Sequence, residues 1–183
     1  MCNNFNKKFL DEAAKAHQDN PLENTHLSDN EQFMSKAVQA AIKGMEANEG
    51  GPFGCVIVKD GEIIGRGNNK VTSTNDPTAH AEITAIRNAC KYLNSFQLDG
   101  CILYTSCEPC PMCLGAIYWA RPDKVYFGSN QKDAANIGFD DAFIYKEIPL
   151  PHDKRSIPFE QCAREISLEA FQKWTTKEDK INY

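Results

Sequence analysis

Apolar residues recur along the chain at two different spacings, which predicts an alternation of helices and strands. Over residues 29–46 they fall three or four positions apart, so the sequence predicts an amphipathic helix there. Ser28 and Glu31 have the spacing of a capping box, which begins a helix. The same period returns over Thr78–Leu93, where we expect a second helix.

Short continuous apolar runs predict strands between and after these helices. The strand-like runs are Cys55–Val58, Ile63–Arg66, Cys101–Thr105 and Lys124–Gly128. Asp60-Gly61 separates the first two runs and favours the positive φ angles of a tight hairpin turn. Pro111–Trp119 and the region near Phe159–Trp174 are typical of helices, and Gly138 to Tyr145 is typical of a loop. This order predicts a single-domain α/β sandwich built on a mixed sheet.

The composition narrows the class of protein. Residues 1–27 are polar and without a clear period, so we expect an N-terminal extension followed by one domain over residues 28–183. The longest apolar runs are far shorter than the roughly 18–20 residues of a membrane-spanning helix, and the polar start does not resemble a signal peptide. The net charge of −5, with no Lys/Arg-rich block, disfavours a nucleic-acid partner. We therefore expect a cytoplasmic protein whose eight cysteines are reduced.

Two short motifs carry the candidate chemistry. His80 and Glu82, separated by one alanine, lie in the second predicted helix, and Pro109–Cys113 reads PCPMC at the start of the next. Cys110, Cys113 and His80 together match the three protein ligands of a catalytic zinc ion, which leaves a fourth position for water. Glu82 is near enough to move protons at that water without binding the metal. His-x-Glu followed by Pro-Cys-x-x-Cys is the pattern of zinc deaminases that act on nucleobases, so we predict hydrolytic deamination.

Other interpretations of the same cysteines stay open. Cys107 lies three residues before Cys110, so these two, with Cys113 and His80, would also fit a closed structural zinc site in a non-catalytic interaction module. That interpretation leaves Glu82 without a role. In a metal-free protein the cysteines would be buried and the histidine would cap a helix. We expect Cys107 to be a packed thiol behind the site.

Longer stretches around the motifs resemble a known family. They are Asn75–Glu82 (NDPTAHAE), Tyr104–Tyr118 (YTSCEPCPMCLGAIY), Gly138–Asp141 and the aromatic C-terminus at Tyr183. They are similar to the cytidine-deaminase-like superfamily and, within it, to the small bacterial guanine deaminases. The resemblance covers the chain from about residue 29 to its end, and it leaves the N-terminal extension outside.

This resemblance implies a fold, a reaction and a partner. The fold would be a central five-stranded sheet with helices on both faces, and the reaction the zinc-dependent deamination of guanine to xanthine and ammonia. The resemblance also implies a homodimer whose C-terminal segment swaps onto the neighbour, so that Tyr183 reaches the other subunit's pocket. Phe53 would stack on the purine, Asn69 would hydrogen-bond it, and Asp141 would accept from its N–H groups.

Rival functions share this zinc chemistry. A guanosine deaminase and a tRNA adenosine deaminase are the alternatives within the superfamily, and the acidic balance of the chain disfavours the second. Structural roles also remain open for the three residues expected to bind the base. Phe53 could belong to the core, Asn69 could hold a loop, and Asp141 could cap a helix.

Overall fold

The structure, a computed structural model, describes residues 27–182, which divide into two units after Asp141. The elements of the first unit are α1 Asp29–Glu46, β1 Gly54–Lys59, β2 Glu62–Asn68, α2 Val71–Thr74, α3 Ala81–Leu93, β3 Cys101–Cys107, α4 Pro111–Ala120, β4 Lys124–Ser129 and α5 Gln131–Asn136. The α/β class is confirmed. The extension predicted over residues 1–27 falls outside the described residues apart from Leu27. The predicted division of the chain into this extension and one domain over residues 28–183 therefore stays a prediction.

The strands form one mixed sheet in the order β2-β1-β3-β4. β1 pairs antiparallel with β2 and β3, whereas β3 pairs parallel with β4. The β1–β2 hairpin turns at Asp60 and Gly61, whose φ angles of 50° and 80° agree with the expected tight turn. Parallel strands need a crossover, and here α4 supplies it. The start of α4 therefore follows the carboxyl end of β3.

The expected count of five strands is wrong, because the sheet formed by the described residues has four. After β4, the side-chain oxygen of Asn130 accepts hydrogen bonds from the backbone N–H groups of Lys132 and Asp133, at 2.9 and 3.1 Å. This cap begins α5 directly after β4, so the chain continues there as a helix and not as a further strand. The loop expected from Gly138 to Tyr145 likewise contains the start of a helix, α6 at Ala142–Glu147.

Helices cover both faces of the sheet, as the resemblance implied. On one face, Ala37 of α1 packs in a buried cluster with Val56 and Tyr104. On the other face, Ile57 and Leu103 pack against the buried alanines of α3 and the end of α4. The N-termini of α3 and α4 thus lie on the same side of the sheet.

One glycine is essential to the close packing of α3. A Cβ atom at Gly67 in β2 would collide with the backbone of Ala81 and Ala85. Only a residue without a side chain lets the first turn of α3 approach the strand this closely. This contact fixes the part of α3 that follows His80 and contains Glu82.

The second unit, residues 142–182, is built differently. It contains α6, a 3₁₀ turn at His152–Lys154 and α7 at Arg164–Thr176, which begins a few residues after the predicted start near Phe159. None of its described residues is buried. Its exposed large apolar side chains are Phe143, Tyr145, Ile148, Ile157, Phe159, Ile166, Phe171, Trp174 and Ile181. None of the helices in the described part of the chain combines the length and apolar character that a membrane crossing requires.

Candidate active site

Three side chains able to bind a metal meet where α3 and α4 begin. His80 is the N-cap of α3, Cys110 is the N-cap of α4, and Cys113 lies in the first turn of α4. The Nδ1 atom of His80 lies 3.5 Å from the Sγ atom of each cysteine, and the three ligand atoms all lie within 4.8 Å of one another. A tetrahedral zinc ion requires nitrogen–sulfur separations of about 3.6 Å. The donor set therefore fits zinc in both chemistry and spacing.

Hydrogen bonds within the cluster shift the pKa of each of the three groups. Hydrogen bonds from Cys113 and His80 lower the pKa of the Cys110 thiol to about 4 despite its partial burial. The hydrogen bond to Cys110, together with burial, raises the pKa of Cys113 far above its usual range. The hydrogen bond to Cys110 also raises the pKa of His80. The cluster thus already favours one thiolate, at Cys110, and a divalent cation bound there would favour ionisation of the second thiol.

Glu82 lies beside this cluster and is only 6% exposed. Its Oε2 atom is 3.4 Å from the Sγ of Cys113, and its Oε1 accepts a hydrogen bond from the hydroxyl of Thr105 at 3.2 Å. Burial raises the pKa of this carboxyl. A carboxyl with a raised pKa next to a metal site is suited to accept a proton and return it near neutral pH.

Cys107 is outside the ligand cluster. Its Sγ lies 3.9 Å from the carbonyl oxygen of Asn130, and burial raises its pKa to about 11. Its Sγ is not among the three ligand atoms that lie within 4.8 Å of one another. The structure therefore favours the open three-ligand arrangement over the closed four-ligand site, and it places Cys107 as a packed thiol.

Phe53 and Asn69 are held together at the ends of the β1–β2 hairpin. The backbone N–H of Asn69 donates to the carbonyl of Phe53 at 3.0 Å. The Asn69 side-chain oxygen accepts from the backbone N–H groups of Val71 and Gly51 at 3.1 and 3.3 Å, so this residue does hold its loop. Its amide nitrogen has no acceptor among the described residues, which leaves it able to donate to a ligand. The rings of Phe53 and Phe139 pack in a T-shaped arrangement, with ring centroids 4.8 Å apart and an angle of 88° between their planes.

Asp141 lies near enough to His80 to contribute to raising its pKa. Its Oδ1 accepts a hydrogen bond from the side chain of Gln131 at 2.8 Å, and the backbone N–H of Gln131 donates to the Glu108 carboxylate at 3.0 Å. The charge of Asp141 therefore acts on the ligand cluster, and its carboxylate is held by Gln131, the first residue of α5. Tyr183 lies outside the described residues, so its expected role stays a prediction.

The sequence reasoning missed Thr105, Gln131 and Phe139, which touch Glu82, Asp141 and Phe53 respectively. A signal existed for the first of these, because Thr105 is a polar residue at an inward position of an apolar strand. Phe139 lies within the Gly138–Asp141 stretch that carries the resemblance, but neither its contact with Phe53 nor that of Gln131 with Asp141 follows from a short-range pattern, because each contact depends on the folded chain.

Comparison with known proteins identifies the class. Residues 27–129 match the cytidine and deoxycytidylate deaminase zinc-binding region, and the chain belongs to this family. It is 60% identical over 153 residues to the guanine deaminase of Bacillus subtilis strain 168, a match that covers 84% of this chain and 98% of that protein. The tRNA-specific adenosine deaminase of Aquifex aeolicus is 45% identical over 102 residues, covering 56% of this chain and 67% of that protein.

The fold agrees with this assignment. The crystal structure of guanine deaminase from Bacillus subtilis superimposes with a TM-score of 0.82 at 57% sequence identity, covering 87% of this chain and 99% of that one. The similarity to the guanine deaminase runs over 153 residues and so extends beyond the zinc-binding region, whereas the similarity to the adenosine deaminase runs over 102 residues.

Proposed function

We propose that this chain is a zinc-dependent guanine deaminase that hydrolyses guanine to xanthine and ammonia. The observation that carries the proposal is the buried carboxylate of Glu82 beside, and not within, a three-ligand set of His80, Cys110 and Cys113. A structural zinc site takes four protein ligands and has no use for an adjacent acid. The similarity to a guanine deaminase over most of the chain supports guanine as the substrate.

The residues divide the reaction between them. His80, Cys110 and Cys113 would hold the zinc ion, which when bound supplies the Lewis acidity that activates water. Glu82 accepts a proton from the attacking water and passes it to a ring nitrogen of the base. It then delivers the second proton to the departing amine, so that water and guanine yield xanthine and ammonia.

The remaining predicted residues would recognise the base. The Asp141 carboxylate offers acceptors for the adjacent N–H groups of guanine, which adenine does not present in the same places. The amide nitrogen of Asn69 would donate to a ring or carbonyl acceptor, because its oxygen is already used by the loop. The ring of Phe53 would stack on the purine.

A substrate panel tests the proposal. Zinc-loaded protein is expected to release ammonia from guanine much faster than from guanosine, adenosine, cytosine or a tRNA anticodon stem carrying adenosine. Glu82→Gln serves as the control that separates the protein's own turnover from that of a contaminant. If the protein turned over only guanosine, or only the tRNA stem, that molecule and not guanine would be the substrate. Tightly held zinc without turnover of any substrate would favour the structural module.

The apolar surface of the protein supports a homodimer with an exchanged C-terminal segment. On α4, Leu114, Tyr118 and Trp119 are 40%, 75% and 65% exposed. Residues 142–182 expose nine large apolar side chains and contain no buried residue among those described. A second copy of this chain would cover such surfaces, and Tyr183 would then reach the partner's pocket.

The expected cytoplasmic location stays a prediction.

Subunit complementation tests this assembly. One chain carries Glu82→Gln and the other ends at Asn182, and the two are co-expressed with different tags. A mixed dimer has one site with both Glu82 and Tyr183 intact, so about a quarter of wild-type turnover is expected from random pairing. No recovery would show that the tail acts on its own subunit. A truncated chain with full activity would remove Tyr183 from the site.

A further inference from the structure

The hydroxyl of Thr105 stands out because of where it is buried. Among the described residues, the buried polar or charged side chains are Asn69, Glu82 and Thr105, and Thr105 is only 1% exposed. A buried polar group requires a hydrogen-bond partner. The partner of Thr105 is the carboxylate of Glu82, so two of these three buried polar residues bind each other.

The strand itself gives no reason for a hydroxyl at this position. Thr105 lies on β3 directly opposite Cys55 of β1, on the same face as Leu103. Both of these neighbours belong to the apolar cluster beneath α3 and α4. Valine has nearly the same shape as threonine and is also enriched in strands, and it would bury no polar atom. The hydroxyl is therefore explained by its contact with Glu82.

The two oxygens of Glu82 face different groups. Oε1 accepts from Thr105 at 3.2 Å, whereas Oε2 lies 3.4 Å from the Sγ of Cys113, on the side of the ligand cluster. The terminal torsion of a glutamate side chain is broad and weakly restrained. A hydrogen bond to one oxygen fixes this torsion and thereby directs the other oxygen at the cluster.

Cys113 cannot take over this restraint during the reaction. A cysteine that binds zinc does so as the thiolate and has no proton to donate. Thr105 is then the remaining side-chain donor to Glu82 within the described part of the chain.

We propose that Thr105 is a positioning residue that holds Oε1 of Glu82, so that Oε2 is directed at the ligand cluster of His80, Cys110 and Cys113. This inference rests on the proposed deamination for its kinetic consequence. Its structural part, the orientation of the carboxylate, does not depend on which substrate is used.

Three variants test the inference by steady-state kinetics with guanine. Thr105→Val removes the hydroxyl and keeps the shape, so kcat is expected to fall on the order of ten- to a hundredfold while KM stays within about twofold. Thr105→Ser keeps the hydroxyl and is expected to retain kcat within about threefold of the wild type. Leu103→Val, on the same face of the same strand, controls for loss of core packing. Its melting temperature should fall while its kcat stays within about twofold.

Each outcome decides the question. Wild-type kcat in Thr105→Val overturns the inference, and so does a loss in Thr105→Ser as large as that in Thr105→Val, because the methyl group would then be responsible. If Thr105→Val does not fold, Thr105→Ala is compared with Thr105→Ser in its place.

A readout other than activity separates this inference from the proposed function. Crystal structures of zinc-loaded wild type and Thr105→Val are expected to show the Glu82 carboxylate turned away from its wild-type orientation, with unchanged zinc content. If the wild type does not deaminate guanine, the proposed function fails, and the crystal structures still test the orientation. An unchanged carboxylate in Thr105→Val overturns the inference even when the wild type is active.

Discussion

The part of the site that would carry the chemistry and the part that would recognise the base are built in different ways. His80 and Cys110 cap two helices that pack on the sheet, and Glu82 lies in the first turn of one of them. The residues proposed to bind the base lie outside these helix starts. Asp141, beyond the last strand, is only partly buried and is held by the side chain of Gln131.

This difference predicts how substitutions should act on each part of the site. The chemical part depends on short spacings and on helices fixed by core packing, so it tolerates little variation. The recognition part depends on segments far apart in the chain, where a changed side chain leaves the zinc ligands untouched. Substitutions in the first part should abolish turnover, and substitutions in the second should change only its efficiency.

The largest effect is expected from removing a metal ligand. Cys110→Ser should lose zinc and all measurable ammonia release. Zinc binds cysteine as the thiolate, and the hydroxyl of serine does not ionise at neutral pH. Zinc content by atomic absorption and turnover of guanine check this together. Cys162→Ser, which alters an exposed cysteine outside the cluster, is the matched control. Full zinc occupancy in Cys110→Ser would contradict the ligand assignment.

Glu82→Gln should leave the metal in place and remove the proton transfer. We expect kcat to fall on the order of a thousandfold, since an amide cannot accept and return the proton. Glu62→Gln, at an exposed carboxyl on β2, should behave as the wild type. A zinc-containing Glu82→Gln protein with near-normal kcat would place the proton transfer elsewhere.

Asp141→Asn should weaken the recognition part alone. An amide offers a donor where guanine also donates, so kcat/KM for guanine is expected to fall on the order of a hundredfold with zinc content unchanged. Asp140→Asn makes the same change of charge one residue earlier and serves as the control. Equal losses in the two variants would indicate a general charge effect and count against recognition by Asp141.

Gln131→Leu should have a smaller effect of the same kind. Losing the 2.8 Å hydrogen bond to Asp141 releases that carboxylate, and we expect KM to rise about three- to tenfold. Combined with Asp141→Asn, the second substitution should add little, since both remove one interaction. Strictly additive effects in this double-mutant cycle would show that Gln131 acts independently.

The smallest effect is expected at Cys107. Cys107→Ala removes a buried thiol that the structure leaves outside the ligand set, so kcat and zinc content should match the wild type. The free energy of unfolding should fall by about 1 kcal/mol because of the lost packing. Chemical denaturation measures this change. Loss of zinc from this variant would revive the closed four-ligand site.

Features set by residues close together in the sequence are easier to predict than features set by contacts between distant parts of the chain. The hairpin at Asp60 and Gly61 follows from two adjacent residues and is confirmed. The start of α3 is later than predicted because Asp76 accepts hydrogen bonds from the backbone and hydroxyl of Thr78, a local turn that competes with the helix. The Thr105–Glu82 contact joins residues 23 positions apart, and tertiary packing alone creates it.

The grouping of His80 with Cys110 and Cys113 was predictable because the motif constrains it. The number of strands could not be predicted from the residues, since the expectation of five strands came from the resemblance alone. After β4, the capping residue Asn130 begins a helix in place of a further strand. Such a cap is visible in the sequence, but its competition with strand pairing is settled only by the packing of the whole sheet.

The two capping ligands have a consequence for folding. His80 and Cys110 are thirty residues apart in the chain and belong to different helices that flank β3 in sequence. An ion bound by both would act as a cross-link, closing a loop that the unfolded chain keeps open. The free energy of unfolding should therefore rise with free zinc concentration. Loss of the metal would make the protein more prone to degradation as well as inactive.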